Sequence, residues 1–125
     1  MTDSVNSREL VLAILLAVTK DGIYSHVAIS DVLTKYQYLE KQERSFITRV
    51  SEGTLERMLE LDYIINQFSS VKVNKMKPVI RCIIRSAVYE MKYMDSVPVS
   101  ASCNEAVKLA KKKGCLLYTS DAADE

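Results

Sequence analysis

From Ser7 to Val18 the chain reads SRELVLAILLAV, apolar at nearly every position after Glu9. Leu10, Ile14 and Val18 fall on one stripe of a helix and Val11 and Leu15 on the next, while Leu12 and Leu16 fill much of the remaining circumference. A helix apolar on so many sides is predicted to be central and buried. Asn6 or Ser7 can cap its start, and Asp21–Gly22 ends it, with Gly in its usual C-terminal role. Ser25 is predicted to cap a second helix, with Val27, Ile29, Val32 and Leu33 inward, that stops near KYQYL. A third pattern starts at about Lys41, where Ile47, Val50, Thr54, Met58, Leu61, Ile65 and Phe68 follow one another by three or four residues. That spacing is a continuous helical seam. Gly53 lies inside it at a cost of roughly 1 kcal/mol relative to Ala. Either close packing requires that Gly, or the helix bends there.

SSVKVNKMK reads as a polar linker, and Pro78 suits the first turn of the next helix. Val79, Ile80, Ile83, Ile84, Ala87, Val88 and Met91 form its inward face. The opposite face carries Lys77, Arg81 and Arg85 at i, i+4 and i+8, with Lys92 further along. Asp95–Pro98 is a turn, and Ser100 can cap a last helix with Glu105 and Lys108 outward and Ala106, Val107, Leu109 and Ala110 largely inward. No segment alternates with period two for long, and no internal repeat is visible. The pattern predicts an all-α chain, and 125 residues suit one domain.

Composition narrows the function classes. With 48% hydrophobic and 26% charged residues the chain is globular in type. No apolar run approaches a membrane span, and the polar N-terminus lacks the pattern of a signal peptide, so a cytoplasmic location is expected. Cys82, Cys103 and Cys115 are odd in number, widely spaced and form no CxxC pair, and His26 is the single histidine. This argues against zinc and disulfides; the thiols read as buried or half-buried. The net charge of +1 hides an asymmetry. Residues 72–113 hold ten lysines and arginines against three acids, a local surplus of +7. A basic half on a small domain suggests an anionic partner, RNA first.

The segment YMDSVPVSASCNEAVKLAKKKG resembles the NusB/RsmB all-helical RNA-binding domain through Asp95, Pro98, Asn104, Glu105, Ala106, Val107 and Ala110–Lys111. IIRSAVYEM resembles that family's Leu-Arg-x-x-x-Tyr helix, with Arg85 and Tyr89 in place, and GTLERMLELDYII its long third helix, with Leu61–Asp62 matching. The resemblance covers about residues 5–114. It implies a NusB-like helical bundle that here lacks its last helix. Two branches share the domain: the transcription antitermination factors, and the N-terminal domains of RsmB-type methyltransferases acting on cytosine C5 of small-subunit ribosomal RNA. VNSRELVLAIL and GIYSHVAISDVL are closer to the methyltransferase branch, where a Tyr-Ser pair opens the second helix. The antitermination branch usually has an arginine-rich N-terminus; here Arg8 is the only basic residue among the first nineteen. Glu52 departs from the aromatic residue that often precedes the Gly.

The end of the chain reads differently. CLLYTSDAADE resembles a translated sequencing adapter, whose codons give Cys-Leu-Leu-Tyr-Thr-Ser. The expected organisation is therefore a NusB-like RNA-binding domain over residues 1–114 and a non-native tail over 115–125.

No catalytic constellation is present. The resemblance implies that the S-adenosylmethionine pocket and the catalytic cysteines of a full-length parent belong to a separate domain, so this chain itself is expected to bind RNA without catalysis and without a cofactor or metal. The candidate RNA-binding residues are Arg8, Lys77, Arg81, Arg85, Lys111 and Lys112. The Lys77/Arg81/Arg85 row admits two readings. Its cations, spaced about 6 Å apart along a helix, can follow an RNA backbone, or they form the wet face of an amphipathic helix while Arg85 pairs internally with an acid such as Asp62. Asn104 and Glu105 read as a structural pair at a helix start. Three function classes remain: the ribosomal-RNA-positioning domain of a cytosine methyltransferase; an antitermination factor that binds boxA-like RNA with a ribosomal protein; and a protein–protein module.

Overall fold

The computed structural model describes the backbone of residues 6–124 and the side chains of residues 6–114. Among them are six α-helices and one short 3-10 turn, and no strand. The helices are α1 (Ser7–Thr19), α2 (Ser25–Lys35), α3 (Lys41–Glu56), α4 (Met58–Phe68), α5 (Pro78–Tyr93) and α6 (Val99–Asp124); the 3-10 turn is Val73–Lys75. The expected non-native tail, Cys115–Glu125, lies outside the residues whose side chains are described.

α1 is the buried helix its pattern predicts. Leu10, Val11, Leu12, Ile14 and Leu15 are all buried, and each such side chain contributes about 1.5–3 kcal/mol. α1 packs on α2, α3 and α5. The Asn6 side chain accepts the Arg8 N–H at 2.7 Å and caps its start. Gly22, at φ 76°, turns the chain into the left-handed region, so that the Ile23 N–H reaches back to the Ala17 carbonyl at 3.0 Å.

α2 departs from expectation in two places. Tyr24 is the N-cap, and Ser25 is the first helical residue without a capping bond. Ala28 and Ile29 are the buried positions, and Val27 is 38% exposed. Arg44 of α3 closes the other end of α2 by donating to the carbonyls of Leu33 (3.0 Å) and Tyr36 (3.3 Å). It supplies cationic donors where a helix leaves carbonyls unpaired.

The continuous seam from Lys41 to Phe68 is two helices. Arg57, at φ −103° and ψ 18°, interrupts it, four residues after Gly53. Gly53 also meets the other alternative, since the Tyr89 ring occupies the space a Cβ there would need. The bend directs Leu61 and Ile65 inward and α4 onto α5. Phe68, the last position of the seam, is 86% exposed. Beside the bend, Glu60 of α4 accepts from Lys92 Nζ and Tyr93 Oη of α5, and the Arg57 guanidinium lies 5.1 Å from the Tyr93 ring centre.

α5 is central, packed on α1, α3, α4 and α6. Cys82, Ile83, Arg85, Ala87, Tyr89 and Glu90 are all buried on it, so burial extends well beyond the predicted inward face. α6 starts at Val99, where the Ser102 N–H bonds the Pro98 carbonyl at 3.1 Å. Ser100, expected as the cap, therefore lies inside the first turn. Leu109 is buried as predicted, whereas Val107 is 52% exposed.

Candidate nucleic-acid interface

The six candidate cations divide into two groups. Arg85 is buried, and its Nε and Nη2 donate to the two carboxylate oxygens of Asp62 at 2.7 and 2.8 Å. Of the two readings of the Lys77/Arg81/Arg85 row, the internal pair is the one observed. Arg81 turns toward the chain between α4 and α5, donating from Nε to the Val73 carbonyl (3.1 Å) and from Nη2 to that of Met76 (2.8 Å). Lys77, the N-cap of α5, is exposed. The row is thus not a single outward stripe. The reason is architectural, because a helix with four packed neighbours has no wide wet face.

Arg8 is also engaged inside the bundle. Its Nε lies 3.2 and 3.1 Å from the two Glu90 oxygens and its Nη2 lies 2.7 Å from Oε1. Glu90 is 2% exposed and accepts the Ser102 hydroxyl as well, at 2.9 Å. The Arg8 guanidinium also lies 5.1 Å from the Phe46 ring centre. The second cluster is on α6. Lys111 and Lys112 are exposed, and Lys112 Nζ lies 2.8 Å from the Glu9 carboxylate, with Lys113 Nζ at 3.8 Å. Burial raises the Glu9 pKa, but the Lys112 hydrogen bond and the charges of Lys112 and Lys113 outweigh it and leave Glu9 below the ordinary carboxylate range. Glu105 meets the Asn6 amide (3.4 Å) and Lys108 (3.6 Å); since α6 begins at Val99, the Asn104–Glu105 pair lies in its second turn rather than at a helix start.

One feature was not visible from spacing. A cavity of about 360 Å³ opens between α4, the 3-10 turn and the first turns of α5. Asp62, Asn66, Lys72, Asn74, Arg81 and Arg85 line it. The segment read as a polar linker forms its wall, and the one sequence signal for this was Val73, an apolar residue in a polar run, which is buried. Asn66 Oδ1 accepts the Val73 N–H at 2.9 Å and fixes that wall to α4. Among the described residues no cluster of His, Cys, Asp or Glu could hold a metal ion, and no helix is long and apolar enough to cross a membrane.

The family model described as the NusB family matches residues 5–116. The chain belongs to the NusB family. A probable ribosomal RNA small subunit methyltransferase B of Synechocystis sp. is 34% identical over 110 residues, spanning 88% of this chain but 24% of the relative. The transcription antitermination protein NusB of Bacillus subtilis is 33% identical over 109 residues, 86% of this chain and 79% of that protein. The chain thus spans about a quarter of the methyltransferase and most of the NusB protein. A chain from the crystal structure of antitermination factors NusB and NusE in complex with dsRNA superposes with a TM-score of 0.77 at 18% identity, over 86% of this chain and 80% of that one. The NusB fold implied by Leu61–Asp62, Arg85 and the Asn104–Glu105 segment is therefore the fold observed, with Asp62 and Arg85 joined across α4 and α5.

Proposed function

We propose that this chain is an RNA-binding domain that positions ribosomal RNA for a cytosine-C5 methyltransferase, with the S-adenosylmethionine-dependent chemistry carried by another part of a longer cytoplasmic protein. The observation that carries this reading is the Arg8–Glu90 pair. Arg8, the one basic side chain among the first nineteen residues of this chain, is drawn onto Glu90 instead of being held out toward RNA. Of the six candidates, the exposed ones, Lys77, Lys111 and Lys112, then supply phosphate contacts. The Tyr24–Ser25 pair at the start of α2 and the methyltransferase relatives agree with it.

A second reading, an antitermination factor that binds boxA-like RNA with a ribosomal protein, is favoured by the fraction of such relatives the chain covers. One titration separates the two. Fluorescence anisotropy with a small-subunit ribosomal RNA fragment should show binding at low salt. A Lys77→Ala, Lys111→Ala, Lys112→Ala variant should flatten the log–log salt slope by about 2, each phosphate contact contributing about 0.7–0.9. Marked tightening on boxA-like RNA when a NusE-type ribosomal protein is added would favour the second reading. Absence of any binding at low salt by the folded chain would overturn both.

A further inference from the structure

The cavity between α4, the 3-10 turn and α5 has a chemistry that general phosphate attraction does not account for. Three cations, Lys72, Arg81 and Arg85, face one carboxylate, Asp62, so the cavity favours an anion. Yet a site for a bare anion would not keep a carboxylate in its wall. Each Asp62 oxygen takes one N–H from Arg85, and a carboxylate has about four acceptor positions. Asp62 is 23% exposed, so acceptor capacity remains on its open side. Those positions suit hydroxyl donors. Asn66 has its amide oxygen fixed on the Val73 N–H, which leaves its Nδ2 hydrogens as donors. Arg81 uses Nε and Nη2 on backbone carbonyls, leaving Nη1 for a ligand. The volume, about 360 Å³, falls within the roughly 300–1,000 Å³ of sites for small organic ligands.

On an RNA-binding chain, the ligand that carries a phosphate and hydroxyl donors together is a ribonucleotide. We infer that this cavity takes one nucleotide of an RNA strand, with its phosphate between Lys72 and Arg81 and a ribose hydroxyl donating to Asp62. The inference rests on the RNA-binding reading and adds a means of telling RNA from DNA, since the 2′-hydroxyl is the group that distinguishes them. The walls are held by the Arg85–Asp62 pair, the Arg81 bonds and the Asn66 bond, so the site exists before the ligand arrives.

The test uses the full chain, ¹⁵N-labelled, with uridine monophosphate, deoxyuridine monophosphate and inorganic phosphate as separate probes. Uridine monophosphate should shift the side-chain resonances of Asn66, Asn74 and Arg81 saturably. The deoxy form and inorganic phosphate should bind about three- to tenfold more weakly, the value of one hydrogen bond. Lys72→Ala, at an exposed position, should weaken uridine monophosphate several-fold without changing the fold. Silence of these resonances, or equal binding of all three probes, overturns the inference. A parallel anisotropy titration with a short single-stranded RNA separates the two readings. RNA binding with a silent cavity sinks the nucleotide site and keeps the domain function. A cavity that takes uridine monophosphate on a chain that binds no RNA sinks the RNA-binding reading, and with it the strand-bound form of the inference.

Discussion

Tyr89 of α5 lies over Gly53 of α3 so closely that a methyl group at Gly53 would overlap its ring. Tyr89 also stacks on Tyr93, at 5.1 Å between ring centres, and Tyr93 in turn meets Glu60 and Arg57 beside the α3–α4 break. The packing of one glycine and the bend of the seam therefore share one set of neighbours. Gly53→Ala would gain about 1 kcal/mol of helix propensity and meet an overpacking cost of about 1–3 kcal/mol, or more where a ring cannot move. The clash should win. Urea denaturation should show a lower midpoint, and Tyr89→Leu in the same background should recover part of it. A raised midpoint for Gly53→Ala alone would refute the packing argument.

Glu90 is expected to be the most sensitive charged position. Removing one partner of a fully buried pair costs about 3–5 kcal/mol; Arg8 keeps 21% exposure, so the cost falls toward the lower end, still a large share of the roughly 5–15 kcal/mol that holds a domain. Arg8→Ala and Glu90→Gln should each lower the melting temperature steeply. The double variant should cost less than the sum, as required for interacting groups. Strict additivity would mean that the two side chains do not communicate.

Arg85→Lys keeps the charge but not the two-pronged geometry on Asp62. It should lower stability by about 1–3 kcal/mol, short of the loss for a fully buried pair because Asp62 keeps an open edge. The salt slope for RNA should stay unchanged in the folded protein. If the slope falls while stability holds, Arg85 is a phosphate ligand rather than a structural one.

The Glu9–Lys112 contact predicts an acid-side loss. Because the folded carboxyl titrates below its unfolded value, its contribution is complete above about pH 4.3 and disappears as the pH falls through the depressed folded value. The stability difference between wild type and Glu9→Gln should therefore shrink on acidification. Lys112→Ala should flatten that difference at neutral pH. A difference that grows toward acid would reverse the assigned sign.

Cys82 should resist alkylation. Burial pushes its thiol up, against the smaller pull of the Thr19 hydroxyl and the nearby Arg85 and Arg81, whereas Cys103 is exposed. Iodoacetamide at mildly alkaline pH, followed by peptide mapping, should modify Cys103 first and Cys82 at the rate of global opening. Equal rates at the two sites would contradict the burial.

Local signals carried far in this chain. Asn6, Gly22 and Pro78 act as their chemistry prescribes, and the density of apolar residues in α1 reports its central place. Arg85 with Asp62 was legible as one of two alternatives. The bend was legible only as an alternative at Gly53; its place at Arg57 was not, because three- and four-residue steps continue unbroken across that residue. Glu90 was hidden for a different reason. Its partner Arg8 is 82 residues away in sequence, and a single acid beside an apolar face reads like any edge residue until the third dimension supplies the arginine. The cavity was missed because its lining comes from α4, the 3-10 turn and α5 together, and buried Val73 was the one local sign that the polar segment packs.

The same separation has a temporal meaning during synthesis. α1 leaves the ribosome early, while the carboxylate that neutralises Arg8 is made 82 residues later than that arginine, a delay of roughly 4–16 s at about 5–20 residues per second. Through that interval the most apolar helix of the chain has neither its charge partner nor α5 to cover it. Nascent chains halted before Glu90 should therefore expose α1 to proteases and chaperones, and those extended past Ser102 should withdraw it. The first helix of this bundle is among the last to be secured.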